Sequence, residues 1–359
     1  MMYKIAYWLN GLGLGGTEKS AVLFSKYLSK EKYKIDFFTY DDADLTRAEE
    51  IYRDGLDIKF IDRSNPDWTP LSHYDLVHTF RAGGFEKPEK GVNFHGDTKF
   101  VVHNVFGSLS SNRYIDRDIF MSEWLMKDTL RKYGIDDNRP SRKRFTYVNN
   151  PCEIPFTNNK LSVFDDDVIV LGRSGRPTDG VYDSINVFAA KKLQDDGYKV
   201  AFLCLGCPPS MRQDMEHAEI QYHVIEPSID VYTISEFYNS IDIYCEGRPD
   251  GHTFGSVLGE AQIHGKPCVV HQAIPRYAGM GVWQAQTKIV QNGVTGFVVD
   301  YNIDRYADAI AQLINSKDLR DKFGLQAKKR ALKEFEAEAC ADKMDKIYLE
   351  ILNNVAINR

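Results

Sequence analysis

Three segments of the chain combine glycines with charged side chains in ways that suit an anionic ligand. The first, residues 11–18, reads GLGLGGTE and lies between an apolar run and a helical pattern. Amide N–H groups at a helix start lack partners and carry partial positive charge, so they can contact a phosphate or a sugar. Gly15 and Gly16 are the candidates for that contact.

Two other interpretations of this loop stay open, and a third fails. Its glycines match the dinucleotide pattern G-x-G-x-x-G, but the expected acid is poorly placed, because Asp36 lies within a strand and Asp41 comes late. A phosphate P-loop is disfavoured, since Glu18 places a carboxylate directly before Lys19. The loop can also be a tight strand–helix turn that binds nothing.

The second segment, residues 171–177, reads LGRSGRP at the end of a buried strand. Arg173 and Arg176 can form a fork for diphosphate oxygens, because guanidinium groups bind phosphate through several N–H donors. The alternative is a solvated basic turn.

The third segment, residues 250–261, reads DGHTFGSVLGEA and is followed by a strand pattern that includes KPCVV. A loop enters a helix near Gly255 and Ser256, which again offers free amides to an anion. Glu260 lies about one turn further on, and its carboxylate can accept two hydroxyls, as a ribose diol requires. The alternative for Glu260 alone is an ordinary surface glutamate on a helix.

Strand and helix patterns alternate on either side of a polar segment that follows Pro151. In the first half, strands are predicted at residues 4–9, 33–40, 57–62, 74–80, 98–104, 118–122 and 144–151, and helices at 17–30, 43–54 and 123–132. In the second half, strands are predicted at 167–172, 198–206, 241–246 and 266–271, and helices at 182–196, 231–239, 255–264 and three times after 305. This alternation predicts two doubly wound parallel sheets.

Ligands of such sheets bind at the carboxyl ends of the strands, so two facing sheets would share a cleft. The predicted domains are residues 1–152 and 153–335. Residues 336–359 form a last helix that is expected to pack back toward the first domain.

Composition excludes several classes of protein. The chain has 359 residues, of which 43% are hydrophobic and 27% charged, so disorder and a disulfide scaffold are poor interpretations. Its net charge of −6 argues against a protein that coats nucleic acid. The six cysteines lie mostly in apolar stretches and are expected to be buried reduced thiols.

The sequence also predicts where the protein resides. No signal peptide is visible, and no apolar run approaches the ~18 residues that span a bilayer. A cytoplasmic protein is expected, with peripheral membrane contact left open.

Taken in this order, the segments resemble the family 4 glycosyltransferases of the GT-B fold. That family has a Gly-Gly-x-Glu loop, here residues 15–18, and a Gly-Arg turn, here residues 172–173. Its Glu-x7-Glu motif matches the third segment from residue 252 to residue 260. Residues 121–125 and 292–299 add supporting matches.

The resemblance implies an α/β protein of GT-B architecture, with two Rossmann-like domains facing each other across a cleft. It implies retaining transfer of a sugar from a nucleotide-sugar donor, built on UDP or GDP, in glycan biosynthesis. The acceptor would be a carbohydrate, a lipid-linked glycan or glycolipid, or a small molecule. The resemblance implies that residues 1–152 bind this acceptor and that residues 153–335 bind the nucleotide sugar. The implied catalytic residues are His103, Arg173 and Arg176. The implied donor-binding residues are Gly15, Gly16, His252, Thr253, Phe254, Gly255, Ser256 and Glu260.

Two departures from the family pattern bear on the donor. His252 stands where the family has the first glutamate, and Asp179-Gly180 stands where Lys-Gly is usual. Arg176 is expected to supply the missing positive charge. A diphosphate leaving group gains charge as it departs, and arginines with helix amides can neutralise it. No metal or other cofactor is therefore expected.

Three rival functions remain at this point. Another GT-B enzyme such as a nucleotide-sugar epimerase would share the fold but should lack the Phe-Gly-x4-Glu segment. A degenerate transferase that only binds nucleotide sugars is suggested by His252. A nicotinamide enzyme built on the Gly11 loop would leave Arg173 and Glu260 without a role.

Overall fold

The computed structural model describes residues 2–81, 98–110, 114–135, 144–274 and 282–353. The chain divides into two compact units. The first unit is Met1–Pro151 with Ala337–Arg359, and the second is Cys152–Glu336. The division after residue 151 lies one position before the predicted boundary.

The first unit contains a parallel seven-stranded sheet. Its strands are β1 (Tyr3–Trp8), β2 (Tyr33–Tyr40), β3 (Asp57–Ile61), β4 (Leu76–Arg81), β5 (Lys99–Asn104), β6 (Arg117–Phe120) and β7 (Phe145–Tyr147). They lie in the order β3-β2-β1-β4-β5-β6-β7. The inner strands are buried on both faces, which explains their continuous apolar runs in place of an alternating pattern.

Four helices of the described residues belong to this unit. They are α1 (Gly16–Tyr27), α2 (Ala48–Arg53), α3 (Glu123–Lys132) and α11 (Ala337–Asn353), and Thr69–His73 forms a 3-10 turn. The chain-terminal helix α11 places Cys340, Met344 and Tyr348 in the same hydrophobic core as Tyr7 of β1 and Phe24 of α1. Residues from Ala337 onward therefore complete the first unit.

The second unit repeats the plan with a parallel six-stranded sheet. Its strands are β8 (Ile169–Ser174), β9 (Val200–Leu205), β10 (Gln221–Ile225), β11 (Ile243–Cys245), β13 (Cys268–His271) and β15 (Gly296–Val299). They lie in the order β10-β9-β8-β11-β13-β15. A separate pair joins β12 (Gly251–His252) to β14 (Trp283–Gln284).

The helices of the second unit cover the faces of its sheet. They are α4 (Ile185–Asp195), α5 (Pro209–His217), α6 (Val231–Ser240), α7 (Ser256–Ile263), α8 (Gln286–Ile289), α9 (Ile303–Asn315) and α10 (Lys317–Glu334), and Asp179–Val181 is a 3-10 turn. Tyr306 of α9 reaches the sheet, where its hydroxyl shares its proton between the carbonyl oxygens of Glu246 and Val269 at 2.9 and 2.7 Å.

Both sheets reverse their strand order at one place, and this defines where ligands bind. In the first unit the reversal lies between β1 and β4, and in the second between β8 and β11. Helices cross to opposite faces on either side of such a point, which leaves a crevice at the carboxyl ends of the two strands. The loop of residues 10–15 follows β1, whereas Arg173 lies near the end of β8 and Glu246 follows β11.

Candidate active site

Arg173 lies at the reversal point of the second sheet and is held there by a backbone oxygen. The residue is 2% exposed, and its Nη1 donates to the carbonyl oxygen of Gly206 at 2.7 Å. Gly206 has a φ of +72°, and a Cβ there would lie 2.3 Å from the carbonyl oxygen of Gly175. This left-handed turn, which favours glycine, fixes the acceptor that orients the guanidinium group.

Glu246 follows the neighbouring strand β11 and brings a carboxylate to the same crevice. It is 5% exposed, and its Oε2 accepts from the Tyr244 hydroxyl at 3.3 Å. The Nε2 atom of His252 lies 3.4 Å from the same oxygen. The imidazole that departs from the family pattern therefore lies beside a carboxylate, and its Nε2 makes no hydrogen bond within the described residues.

The loop that carries His252 is braced on both sides. Arg248 and Asp250 form two parallel bonds of 2.7 and 3.0 Å. The backbone N–H of His252 donates to the Gln286 side chain at 3.0 Å, and its carbonyl accepts from the N–H of Ala285 at the same distance. Gly251 has a φ of +71°, and a Cβ there would lie 1.9 Å from the Trp283 carbonyl oxygen. The imidazole is thus presented from a rigid segment.

The helix α7 begins directly after this loop. Gly255 caps it with a φ of 91°, and a Cβ on Gly255 would lie 3.1 Å from the His252 ring. Ser256 is the first helical residue, so the amides of this turn lie next to the imidazole. Thr253 is half-buried in the connecting loop. A helix start in the same unit as Arg173 and next to His252 provides the donors that an anion requires.

Phe254 and Glu260, two predicted donor-binding residues, are both buried. The Phe254 ring is 0% exposed and meets the Phe335 ring edge-on at 5.4 Å, so it anchors the loop to the core. Glu260 is 8% exposed, and its Oε2 accepts from the Tyr238 hydroxyl at 2.9 Å. Burial, together with the charge of Glu260, raises the pKa of Tyr238 well above its ordinary value, so the phenol stays a donor to the carboxylate.

Arg176, the other predicted leaving-group residue, is exposed just beyond β8. Asp179, which stands in place of the usual lysine, accepts from the backbone N–H and the hydroxyl of Ser210 at 3.0 and 2.6 Å. These bonds lower the pKa of Asp179. Of the two arginines, Arg173 is therefore the one that the protein holds in a fixed position.

The glycine loop of the first unit is held by residues of the segment that follows β2. The N–H of Leu12 donates to the Asp44 carbonyl at 2.7 Å, and the Arg47 Nε donates to the Gly13 carbonyl at 3.0 Å. Gly15 caps α1 with extended backbone, and Gly16 is its first residue. A Cβ on Gly15 would lie 2.1 Å from an oxygen of Glu18. The start of α1 therefore already has a carboxylate next to it.

His103 is the next-to-last residue of β5, and it lies in the core of the first unit. It is 0% exposed and stacks on Phe80, with ring centroids 5.0 Å apart. Both ring nitrogens are buried without a hydrogen-bond partner among the described residues. Burial lowers the pKa of His103 to about 3, so the ring is neutral at physiological pH. A contact with the transferred sugar remains a prediction.

The sequence interpretation missed two residues of the second site. Glu246 ends the run IDIYCE. A glutamate at a strand end indicates no function by itself, unless its neighbour His252 is known. Tyr238 lies on α6, and its bond to Glu260 joins positions 22 residues apart. Only the order of the strands, which places β11 beside β8, could have drawn attention to Glu246.

The described ranges contain neither a cluster of metal ligands nor a membrane-spanning helix. No group of three or more His, Cys, Asp or Glu side chains there could hold a metal ion. Asp167 pairs with Lys199 at the amino end of the sheet, away from the crevice. None of the helices in those ranges combines the length and the low polarity needed to span a bilayer.

The fold and this crevice define a class: a protein with two Rossmann-like units in tandem, of the GT-B architecture. Residues 188–330 match the family described as Glycosyl transferases group 1. This match includes Glu246, His252 and Glu260 but neither Arg173 nor the first unit. No curated protein matches the chain significantly.

Solved glycosyltransferase structures confirm the predicted fold class. A glycosyltransferase from Rickettsia africae is similar with a TM-score of 0.77 and 16% identity over 98% of this chain and 99% of the other. HepE of Anabaena in complex with UDP-glucose is similar with a TM-score of 0.74 and 15% identity, over 97% of this chain and 100% of HepE. A sucrose-phosphate synthase from Thermosynechococcus elongatus is similar with a TM-score of 0.69 and 14% identity, over 98% of this chain and 99% of the synthase.

Proposed function

We propose that this protein is a retaining glycosyltransferase that moves a sugar from a nucleotide-sugar donor to an acceptor without a metal ion. The observation that carries the proposal is the second crevice, where Arg173, the start of α7 and Glu260 lie within or beside the region that matches group 1 glycosyltransferases. UDP and UDP-glucose bound to HepE support a nucleotide-sugar donor.

The proposed mechanism assigns each group one physical task. Arg173 and the amides near Gly255 and Ser256 stabilise the charge that grows on the diphosphate as the glycosidic bond breaks, and Arg176 assists from the solvent side. Since Arg173 is already oriented by Gly206, little reorganisation accompanies the reaction. Glu260 accepts hydroxyls of the ribose.

The remaining predicted residues would recognise the donor and its sugar. The amides of Gly15 and Gly16 are proposed to contact the donor, and Thr253 and Phe254 shape the loop that carries His252. His252 contacts the transferred sugar. His103 acts there only as a neutral ring, because its pKa of about 3 excludes a cation near neutral pH.

The acceptor is proposed to be a carbohydrate or glycolipid bound by the first unit, which would allow peripheral membrane contact. A cytoplasmic site of action is consistent with six buried cysteines, none of which forms a disulfide among the described residues.

A ligand panel with a product assay tests this proposal. Thermal shifts with UDP, GDP, ADP and their glucose derivatives identify the base, and donor turnover is followed with excess EDTA present. We expect turnover to survive EDTA and NMR to show a retained anomeric configuration. Loss of turnover that Mg²⁺ or Mn²⁺ restores would contradict metal independence. Nucleotide binding without any turnover would instead indicate a sugar-nucleotide-binding protein.

A further inference from the structure

Glu246 is a buried carboxylate at the reversal point of the second sheet with no role in the mechanism above. Its backbone is fixed on two sides, because its N–H donates to the Val269 carbonyl at 3.1 Å and its carbonyl accepts from Tyr306 at 2.9 Å. Its side chain therefore starts from a fixed backbone position near Arg173 and His252.

Among the described residues, the side-chain contacts of Glu246 fall on one of its two oxygens. Oε2 accepts from the Tyr244 hydroxyl and faces the His252 Nε2 at 3.4 Å. The side chains of His252 and Glu246 are 10% and 6% exposed, so the pair is almost withdrawn from water. Oε1 is then the oxygen that a ligand hydroxyl would reach.

Several charged or titratable groups near the site act on the pKa of this carboxylate. Burial raises the pKa of Glu246, but His252, Arg173 of β8 and Arg248 of the following loop outweigh it, and the net pKa lies below the ordinary value. His271 at the end of β13 also faces the pair, and burial lowers its pKa. Glu246 is thus an anion at neutral pH.

We propose that Glu246 determines donor specificity together with His252. The two side chains form one pair that recognises a hydroxyl of the transferred sugar: Glu246 accepts a hydrogen bond from the hydroxyl through Oε1 and orients the imidazole through Oε2. This inference rests on the proposed function. It also makes the site suited to a neutral sugar, since an anionic carboxylate repels a uronic acid.

Because of this pair, the substitution His252→Glu, which restores the first glutamate of the family motif, has an additional consequence. His252→Glu would place a second carboxylate about where the imidazole now lies, next to the anion of Glu246. Two buried like charges repel strongly unless one is neutralised. Glu246→Gln removes that repulsion, so the double variant should tolerate the carboxylate introduced at position 252 better than the single variant does.

A double-mutant cycle without ligand tests the pair itself. Thermal unfolding is compared for the wild type, Glu246→Gln, His252→Glu and the double variant at pH 7.5. We expect His252→Glu to lower Tm the most and the added Glu246→Gln to recover at least half of that loss. Strictly additive losses would overturn the pairing. This result is independent of any transferase activity.

A binding comparison then tests specificity. UDP-glucose and free UDP are titrated by calorimetry, with the GDP or ADP pair used instead if the ligand panel selects that base. Glu246→Gln should weaken the binding of the sugar nucleotide about tenfold, as expected for a lost hydrogen bond to a charged group. The affinity for the free nucleotide should change less than about twofold. The affinity for a glucuronate donor relative to a glucose donor should rise by about fivefold or more, because the repulsion by the Glu246 carboxylate is gone.

The control is Asp321→Asn, which removes a carboxylate from the exposed Lys317–Asp321 pair, where the side chains are 75% and 60% exposed. It should change the affinity for neither ligand. Equal weakening of nucleotide and sugar nucleotide by Glu246→Gln would overturn the specificity role and leave a structural one. If the wild type binds no sugar nucleotide of any base, the proposed function fails, while the cycle still reports on the pair.

Discussion

The two units share one strand order but differ sharply in the side chains at their reversal points. In the second unit a buried arginine, a buried carboxylate and a mostly buried histidine meet there: Arg173, Glu246 and His252. In the first unit the glycine loop after β1 is flanked by Glu18. His103, on the strand β5 next to β4, is buried and neutral.

The comparison shows that topology provides a crevice and side chains decide its chemistry. Positive charge at the helix start of the first crevice is opposed by Glu18, whereas in the second crevice it is provided by Arg173, which the backbone at Gly206 orients. The second crevice therefore has a fixed arginine for an anionic ligand group, next to the anion of Glu246. The first crevice offers the amides at the start of α1 next to the carboxylate of Glu18.

The sharpest test of this difference is Arg173→Met. If the guanidinium stabilises charge that develops on the leaving group, turnover should fall about 10²- to 10³-fold, the effect of losing one preorganised donor. The donor KM should change much less, because the contact strengthens in the transition state. Steady-state kinetics with a saturating acceptor measures both constants.

Two variants serve as references for this prediction. Arg173→Lys keeps the charge but loses the guanidinium Nη1 that donates to the Gly206 carbonyl, so intermediate turnover is expected. Arg131→Met removes an arginine whose side chain is 77% exposed on the first unit and should be silent. A normal kcat with only a raised KM for Arg173→Met would show that its role is uniform donor binding.

Glu260→Ala tests the nucleotide side of the second crevice. If Glu260 accepts ribose hydroxyls, free nucleotide should bind about 1.5–3 kcal/mol more weakly in calorimetry. Tyr238→Phe removes the 2.9 Å bond to Glu260 but keeps the carboxylate, so it should have a smaller effect of the same sign. Unchanged nucleotide affinity in Glu260→Ala would rule out the ribose assignment.

Most of both sheets could be predicted from sequence, because buried parallel strands are apolar throughout. The prediction at residues 33–40 coincides with β2, and the other predicted strands deviate by a few residues. The edge strand β10 was missed, since QYHVI is half-exposed and has no apolar run, and β15 was noticed only as a motif. The helix Pro209–His217 was also missed, because it shows only two buried residues.

The candidate site was less predictable than the fold. Motif residues such as Arg173 and Glu260 could be located from local patterns, but their partners Gly206 and Tyr238 come from other elements. Glu246 needed the three-dimensional position of its partner imidazole to gain meaning. A motif aromatic such as the ring at position 254 packs in the core, because a pattern does not distinguish a ligand contact from a packing one.

In the first unit, His103→Phe should reduce sensitivity to acid. Burial lowers the pKa of His103 to about 3, so protons bind the unfolded chain first as pH falls below its ordinary value near ~6.5. The native state therefore loses stability from about pH 6.5 down toward pH 3, by about 2 kcal/mol at pH 5. The variant should show a flatter pH dependence in denaturant unfolding, with the exposed His223→Phe as the control. An unchanged slope would mean that His103 takes up a proton in the native state.

The smallest expected effect comes from Gly15→Ala, and it asks whether the first crevice touches the donor at all. Gly15 has a φ of −63°, which alanine adopts without strain, and the new methyl would meet only the flexible end of Glu18. Unfolding free energy should therefore change by less than about 1 kcal/mol. The methyl would still keep a ligand away from the first amides of α1, so the donor KM should rise a few-fold while free nucleotide affinity stays nearly constant. An unchanged donor KM would identify the loop as a strand–helix turn without ligand contact, and a large loss of free nucleotide affinity would place the nucleotide against the first unit instead of the second.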